Sequence, residues 1–479
     1  MKFFDRPISE VVDEIKAGKS SSRDITARAV SLIEERDGDI NAFITVCKDS
    51  ALKRAEEIDG LPPSEKESMP LCGIPIALKD NICTKGVKTT CASRMLENFV
   101  PPYSAAVVDY LEKAGAVIIG KTNLDEFAMG SATENSYFGP THNPHYNEKI
   151  PGGSSGGSAA AVGAGFVPAS LGTDTGGSIR QPCSHCGVVG LKPTYGRVSR
   201  YGAAAFASSL DQIGPMASDV RDIGLMLSVL SEPDKRDSTC AGKRFVDSAN
   251  NYTGDISGLR IGMPAEYFGE GLSDEVRRAI EPVIENLKGR GAKIVNISLP
   301  HVKYAVAAYY IISSAEASTN LARYDGVKYG FRADGAKTLL DMYTKTRAQG
   351  FGPESKRRIM LGTYALSTGY YDAYYLKAAR VRTLITKDFS SAFGDCDVIL
   401  APATPIPARN IGEKADDLLQ IYLMDIYTVS ANLAGIPGIS VPSPSSEGGL
   451  PVGVQFMAPQ WREDLLLKAG YAVQTMGHG

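Results

Sequence analysis

The chain has 479 residues, room for about three domains of ordinary size or for one large α/β domain. With 43% hydrophobic and 22% charged residues it has the composition of a globular protein with an ample core, and no low-complexity tract or internal repeat divides it. A net charge of −3 and a pI near 6.1 leave no basic footprint for direct nucleic-acid binding, so any such role requires a partner.

The N-terminal stretch MKFFDRPISEVVDEIKAGK mixes acids and bases without an apolar run, unlike a secretory signal or a transit peptide. The small-residue run Ala159 to Ala169 is broken by Gly163, Gly165 and Pro168 and is too short to span a bilayer. These features predict a cytoplasmic protein with no membrane role. Apolar periodicity predicts a helix over Ile25 to Arg36, with Asp24 as its N-cap, and another over Ala105 to Ala114 leading into a strand at Ala116 to Gly120. Further strands are expected at Leu259 to Met263, Ala292 to Ile297, Val398 to Ala401 and Val452 to Met457. A helix is expected over Asp274 to Lys288, and an exposed loop over Pro442 to Pro451. The alternation predicts an α/β fold.

Three segments carry the chemistry: GIPIALKDN (Gly73 to Asn81), PGGSSGGSAAA (Pro151 to Ala161) and SLGTDTGGSIRQP (Ser170 to Pro182). Lys79 follows Ile74, Ile76 and Leu78 and should leave a buried strand into an interior crevice, where desolvation weakens an amine's hold on its proton. Most lysines are instead solvated surface charges. Four glycines bracket Ser154 and Ser155 and run into a helix of very small residues, which a flexible linker would not do. A phosphate-cradling turn is a rival, but the lysine and hydroxyl that end a P-loop are missing. In TDTGGS, the N–H groups of Thr175, Gly176 and Gly177 can converge on an oxyanion beside Ser178, though Ser178 alone reads as an ordinary turn hydroxyl. Together the segments supply a base, a hydroxyl relay and a nucleophile.

Histidine is scarce. Of the five, His142 and His145 lie in the loop THNPH, His478 is next to the end of the chain, and His185 and His301 complete the set. The pair Cys183 and Cys186 has no second pair at metal-ligand spacing, so no metal site is expected, and the eight cysteines read as reduced thiols.

From Gly73 to Pro215 the chain resembles the amidase signature family, whose triad is Ser, cis-Ser and Lys. The resemblance implies one large mixed central β-sheet covered by helices on both faces, a single domain over residues 1–479 with its signature core at 73–215, and a cis peptide before Ser154. It gives Ser178 the role of nucleophile, Ser154 that of bridging serine and Lys79 that of base. The stretches LDEFAMGSATENSYFGPTHNP, YYIISSAEASTNLARYDGVKYG, RRIMLGTYALSTGYYDAYYLKA and LMDIYTVSANLAGIPGISVP extend it over nearly the whole chain. They are similar to the branch that hydrolyses glutamine to feed a tRNA-dependent amidation.

That branch implies that Asp425 takes the α-amino group of glutamine and Arg358 its α-carboxylate, with Tyr309, Met129 and Ser131 also lining the site. An acid within the apolar run around Asp425 needs a cation, which a structural Arg or Lys could also supply. The resemblance further implies no cofactor in this chain. It implies too that a tRNA-binding kinase and transamidase B subunit uses ATP and Mg²⁺, that a small C subunit completes a heterotrimer, and that Glu-tRNA(Gln) is amidated through the complex. A stand-alone amidase, a nucleotide-binding protein and a non-catalytic scaffold are the competing readings. Activity toward Asp-tRNA(Asn), the ammonia path and the oxidation of Cys183 and Cys186 are not legible in the sequence.

Overall fold

The structure is a computed structural model that describes Phe4 and residues 6–413, 423–444 and 449–476. His478 and residues 445–448 of the expected loop lie outside the described residues. Eleven strands form one sheet: β1 Phe43–Val46, β2 Pro75–Lys79, β3 Val117–Thr122, β4 Ala169–Asp174, β5 Val189–Lys192, β6 Gln212–Ala217, β7 Arg260–Pro264, β8 Lys293–Ile297, β9 Val398–Pro402, β10 Gly438–Pro442 and β11 Gly453–Met457. Their order is β1-β3-β2-β4-β6-β5-β10-β11-β9-β7-β8, with β2 parallel to both β3 and β4, and β7 parallel to both β8 and β9. The other pairings are antiparallel, so the sheet is mixed as expected.

Every residue of β2, β4, β5, β6, β9 and β11 is buried, which requires cover on both faces. The expected strands and helices all occur, with ends displaced by a few residues. The first long helix runs Ser22–Ile40, and its N-cap is Ser21, not Asp24: the Ser21 hydroxyl accepts the Asp24 N–H at 2.9 Å. The helix Asp274–Gly289 is capped in the same way by Ser273 and buries Val276, Ile280, Val283, Ile284 and Leu287, the face that its periodicity marks.

The sheet also contains β1, β4, β5, β6 and β10, which pattern reading does not find. ASLGTD, QIGPMA and GISVP carry glycine, proline and buried polar residues, which normally argue against a strand. They pair because neighbouring strands on both sides supply the hydrogen bonds that local propensity does not.

The parallel pair β2 and β4 sets the position of the site. Leu78 is in register with Leu171, so the two strands finish on the same edge, one at Lys79 and the other at Asp174. Ligand sites form at the carboxyl ends of such strands because the chain must turn away there, leaving a crevice. The turn 175–178 leads from β4 into the helix Arg180–Cys186, while Ser154 and Ser155 precede the helix Gly156–Gly163. Among the described residues no helix is long and apolar enough to cross a membrane.

Candidate active site

Lys79 is fully buried, and its amine ends among hydroxyls: Nζ lies 2.8 Å from Ser154 Oγ, 2.8 Å from Ser155 Oγ and 2.9 Å from Thr173 Oγ1. Burial lowers its pKa to about 7, against the opposing pull of Asp125, Asp174 and Asp211. A large fraction of the amine is therefore neutral near neutral pH and can accept a proton.

The two serines beside the amine are not equivalent. The Ser155 hydroxyl donates to Thr173 O at 3.1 Å and accepts the Thr173 N–H at 3.3 Å, so it ties the loop to β4. Ser154 Oγ has Lys79 as its one hydrogen-bond partner among the described residues. The Ser155 hydroxyl is thus committed to Thr173, and that of Ser154 is not. The peptide bond Gly153–Ser154 is cis. Ser178 is the outermost of the three serines, 8% exposed where Ser154 and Ser155 are at 0%, and its carbonyl accepts the Ser155 N–H at 3.2 Å, joining the two turns directly.

Close approach explains the glycines of the serine loop. A Cβ on Gly153 would lie 2.3 Å from Asp125 Oδ2, where only a hydrogen fits. Asp125 is buried beneath the loop and accepts N–H groups of Thr133 at 2.9 Å, Asn135 at 3.2 Å and Ala132 at 3.3 Å. Burial still raises its carboxyl to about 6. Its own N–H donates to Ser154 O at 3.2 Å. Gln181 completes the brace, accepting the Gly153 N–H at 2.7 Å while its amide donates to Ser131 O at 3.0 Å.

The turn that carries Ser178 rests on a buried ion pair that sequence reading missed. Arg180 Nε and Nη2 each lie 3.0 Å from Asp174, whose carboxylate also accepts the Gly177 N–H at 2.8 Å and Asn432 Nδ2 at 2.8 Å. Burial alone would raise the Asp174 carboxyl; Arg180, with Lys192 and Asn432, more than offsets it and lowers the value to about 2. Both residues stand within TDTGGSIRQP, and a charge at each end of a glycine turn was the available signal. Of the expected oxyanion donors, the Gly177 N–H is engaged by Asp174, whereas the N–H groups of Thr175, Gly176 and Ser178 meet no protein acceptor among the described residues. The Thr175 hydroxyl donates to Asp211 at 2.7 Å, fixing the start of the turn.

Arg180→Ala would strand the Asp174 charge in the interior, and a loss of about 3–5 kcal/mol of stability is expected in denaturant unfolding. Because the folded Asp174 value is depressed, the stabilisation it brings is present above the ordinary carboxylate range and is lost as pH falls toward 2.

Of the residues expected to hold substrate, Tyr309 is the one in contact with this turn. Tyr309 packs on it, its ring and hydroxyl within 2.8 Å of where a Gly176 Cβ would stand. Arg358 is buried, whereas the side chain of its neighbour Arg357 is 39% exposed; Glu354 accepts from Arg358 Nε at 2.6 Å and also pairs with Arg357. Asp425 is raised to about 7 by burial, against the Tyr310 hydroxyl at 3.0 Å and the charge of Arg358. Ser131 and Arg358 line a cavity of about 240 Å³ together with Tyr310 and Glu354. Met129 is fully buried and is not among the residues lining that cavity.

Cys183 and Cys186 are buried free thiols, and burial pushes Cys183 well above its ordinary range. Among the described residues no group of His, Cys, Asp and Glu is arranged to hold a metal ion.

The family model described as Amidase matches residues 24–467. The A subunit of glutamyl-tRNA(Gln) amidotransferase from Syntrophus aciditrophicus (strain SB) is 55% identical over 478 residues, covering 100% of this chain and 98% of the relative. Its counterpart in Geobacter metallireducens is 54% identical over 474 residues, covering 99% and 98%. Among solved structures, the A subunit of glutamyl-tRNA(Gln) amidotransferase from Thermotoga maritima superposes with a TM-score of 0.82 at 41% identity, covering 99% of this chain and 96% of that one. Native peptide amidase from Stenotrophomonas maltophilia gives 0.83 at 28% identity, covering 99% and 97%.

Proposed function

This chain belongs to the amidase signature family, and from that premise we propose that it is the glutamine-hydrolysing subunit of a glutamyl-tRNA(Gln) amidotransferase. The observation that carries the chemistry is a buried amine, with its pKa lowered to about 7, 2.8 Å from a serine hydroxyl that has no other hydrogen-bond partner among the described residues. Full-length identity of about 55% to relatives named for this activity supports the substrate.

Neutral Lys79, acting through Ser154, takes the proton of Ser178 as Ser178 Oγ attacks the side-chain carbonyl carbon of glutamine. The N–H groups of Thr175, Gly176 and Ser178 stabilise the oxyanion, in a site where each such donor contributes about 3–4 kcal/mol to the transition state. The relay returns the proton to the leaving nitrogen as the C–N bond breaks, releasing ammonia and leaving a glutamyl ester on Ser178. Water, deprotonated by the same relay, then hydrolyses the ester to glutamate. Asp425 receives the α-ammonium group of glutamine and Arg358 its α-carboxylate, with Tyr309 and Ser131 beside them.

The chain works as one component of a multi-subunit enzyme. A B subunit that binds tRNA activates Glu-tRNA(Gln) with ATP and Mg²⁺, a small C subunit braces the assembly in the cytoplasm, and this chain needs no cofactor of its own. Its lack of basic excess suits tRNA handling by a partner.

The test is ammonia release from glutamine, compared with peptide and aryl amides, by the full-length chain assembled with its partners. Preference for glutamine supports the reading, and preference for the other amides overturns it in favour of a stand-alone amidase. Asp425→Asn is expected to lower kcat/KM for glutamine by about 10²-fold, since a hydrogen-bonded charge pair is lost. Because burial raises Asp425 to about 7 and only its ionised form attracts an ammonium, glutamine affinity is expected to rise with pH through about 7.

A further inference from the structure

The assignment of Asp425 and Arg358 to the two ends of an amino acid leaves one side chain between them without a role. Tyr310 stands on the helix Ala305–Asn320 and lines the cavity beside Arg358. Its hydroxyl donates to Asp425 Oδ2 at 3.0 Å, and the guanidinium carbon of Arg358 lies 4.5 Å from its ring centroid. The same ring meets Tyr309 edge-on, with centroids 5.1 Å apart at 83°, and Tyr309 abuts Gly176 of the nucleophile turn. One rigid phenol thus touches the acceptor for the amino group, the donor for the carboxylate and the tyrosine packed on the nucleophile turn.

We infer that Tyr310 is a positioning residue for the amino-acid head of the substrate, holding Asp425 and Arg358 at a fixed reach from Ser178. The inference rests on the glutamine reading above. An aromatic side chain has two torsions and both are constrained by packing, so it transmits position where a flexible side chain would not. Its hydroxyl fixes one oxygen of Asp425 and orients the carboxylate. Its face supports the Arg358 guanidinium, which Glu354 holds at Nε with a 2.6 Å bond. Burial keeps the phenol far above its ordinary pKa, so it stays a donor at every working pH. The groups facing Asp425 are Tyr310, Tyr309, Arg358, Asp174 and Arg180, and of these the Tyr310 hydrogen bond does most to hold its carboxyl down.

The test compares wild type, Tyr310→Phe and Tyr310→Leu in the full-length chain assembled with its partners. The substrates are glutamine and glutaric acid monoamide, which is glutamine without its amino group. Tyr310→Phe keeps the ring and loses one donor, so KM for glutamine should rise about tenfold with kcat nearly unchanged. The kcat/KM for the monoamide should not change, because Asp425 has no ammonium to meet. The acid limb of kcat/KM for glutamine should move to higher pH. Tyr310→Leu also removes the face under Arg358 and should weaken both substrates.

Equal effects of Tyr310→Phe on the two substrates, or an unmoved acid limb, would overturn the inference and leave Tyr310 a packing residue. Failure of the underlying reading gives a different result: wild type would then handle the monoamide as well as glutamine, and Asp425→Asn would leave the glutamine KM unchanged.

Discussion

Ser178→Ala is expected to abolish glutamine-dependent amidation of Glu-tRNA(Gln) while leaving amidation driven by added ammonium salt intact. The substitution removes one oxygen from a turn whose geometry is set elsewhere, by the Asp174 and Arg180 pair and by the Ser155 N–H on the Ser178 carbonyl. The fold should therefore persist, and thermal unfolding checks this. Removing the nucleophile from a relay that acts as a unit typically costs about 10⁴- to 10⁶-fold in kcat, the remnant coming from oxyanion stabilisation and binding. Glutamine-dependent activity that survives Ser178→Ala rejects the nucleophile. If ammonium-driven activity fell as well, the residue would serve the assembly and not the hydrolysis.

Lys79→Met should be nearly as damaging, for a different reason. Methionine approximates the volume of lysine without its amine, so the strand keeps its packing while the Ser154 hydroxyl loses its one hydrogen-bond partner among the described residues. General-base catalysis contributes about 10²- to 10⁴-fold, and loss of kcat in that range is expected. The base must be neutral to act. With the folded value lowered to about 7 by burial, kcat of the wild type at saturating glutamine should fall about tenfold per unit as pH drops below 7. Saturation isolates this limb from Asp425, whose titration affects the capture of free glutamine. A kcat flat from pH 5 to 8 would show that Lys79 is not the base.

The parts of this site legible in the sequence are those whose chemistry is local. An apolar strand ending in a lysine, and two glycine turns each holding a serine, mark themselves because few other residues tolerate such backbone and such burial. The strands flanked by clear periodicity were legible for the same reason. β4 and β6 were not: their glycines, proline and buried polar residues are stabilised by partners from elsewhere in the chain, such as the register of Leu171 with Pro215. Asp174 and Arg180 were overlooked because a charged pair reads as surface until the sheet closes over it. The hydrogen bond of the Gly177 N–H to Asp174 is likewise visible only in the folded chain.

By itself, then, the sequence determined which candidate groups exist and the order in which the chain presents them: the Lys79 amine, then Ser154 and Ser178 in two glycine turns, on segments too constrained to be ornament. Tertiary structure decided their surroundings. Parallel pairing of β2 and β4 brings residues about a hundred positions apart to one edge, burial lowers the Lys79 pKa to about 7, and Thr173 ties up the Ser155 hydroxyl while that of Ser154 meets Lys79 alone among the described residues. These outcomes depend on distance and desolvation between remote segments, and neither is a property of any local stretch of residues.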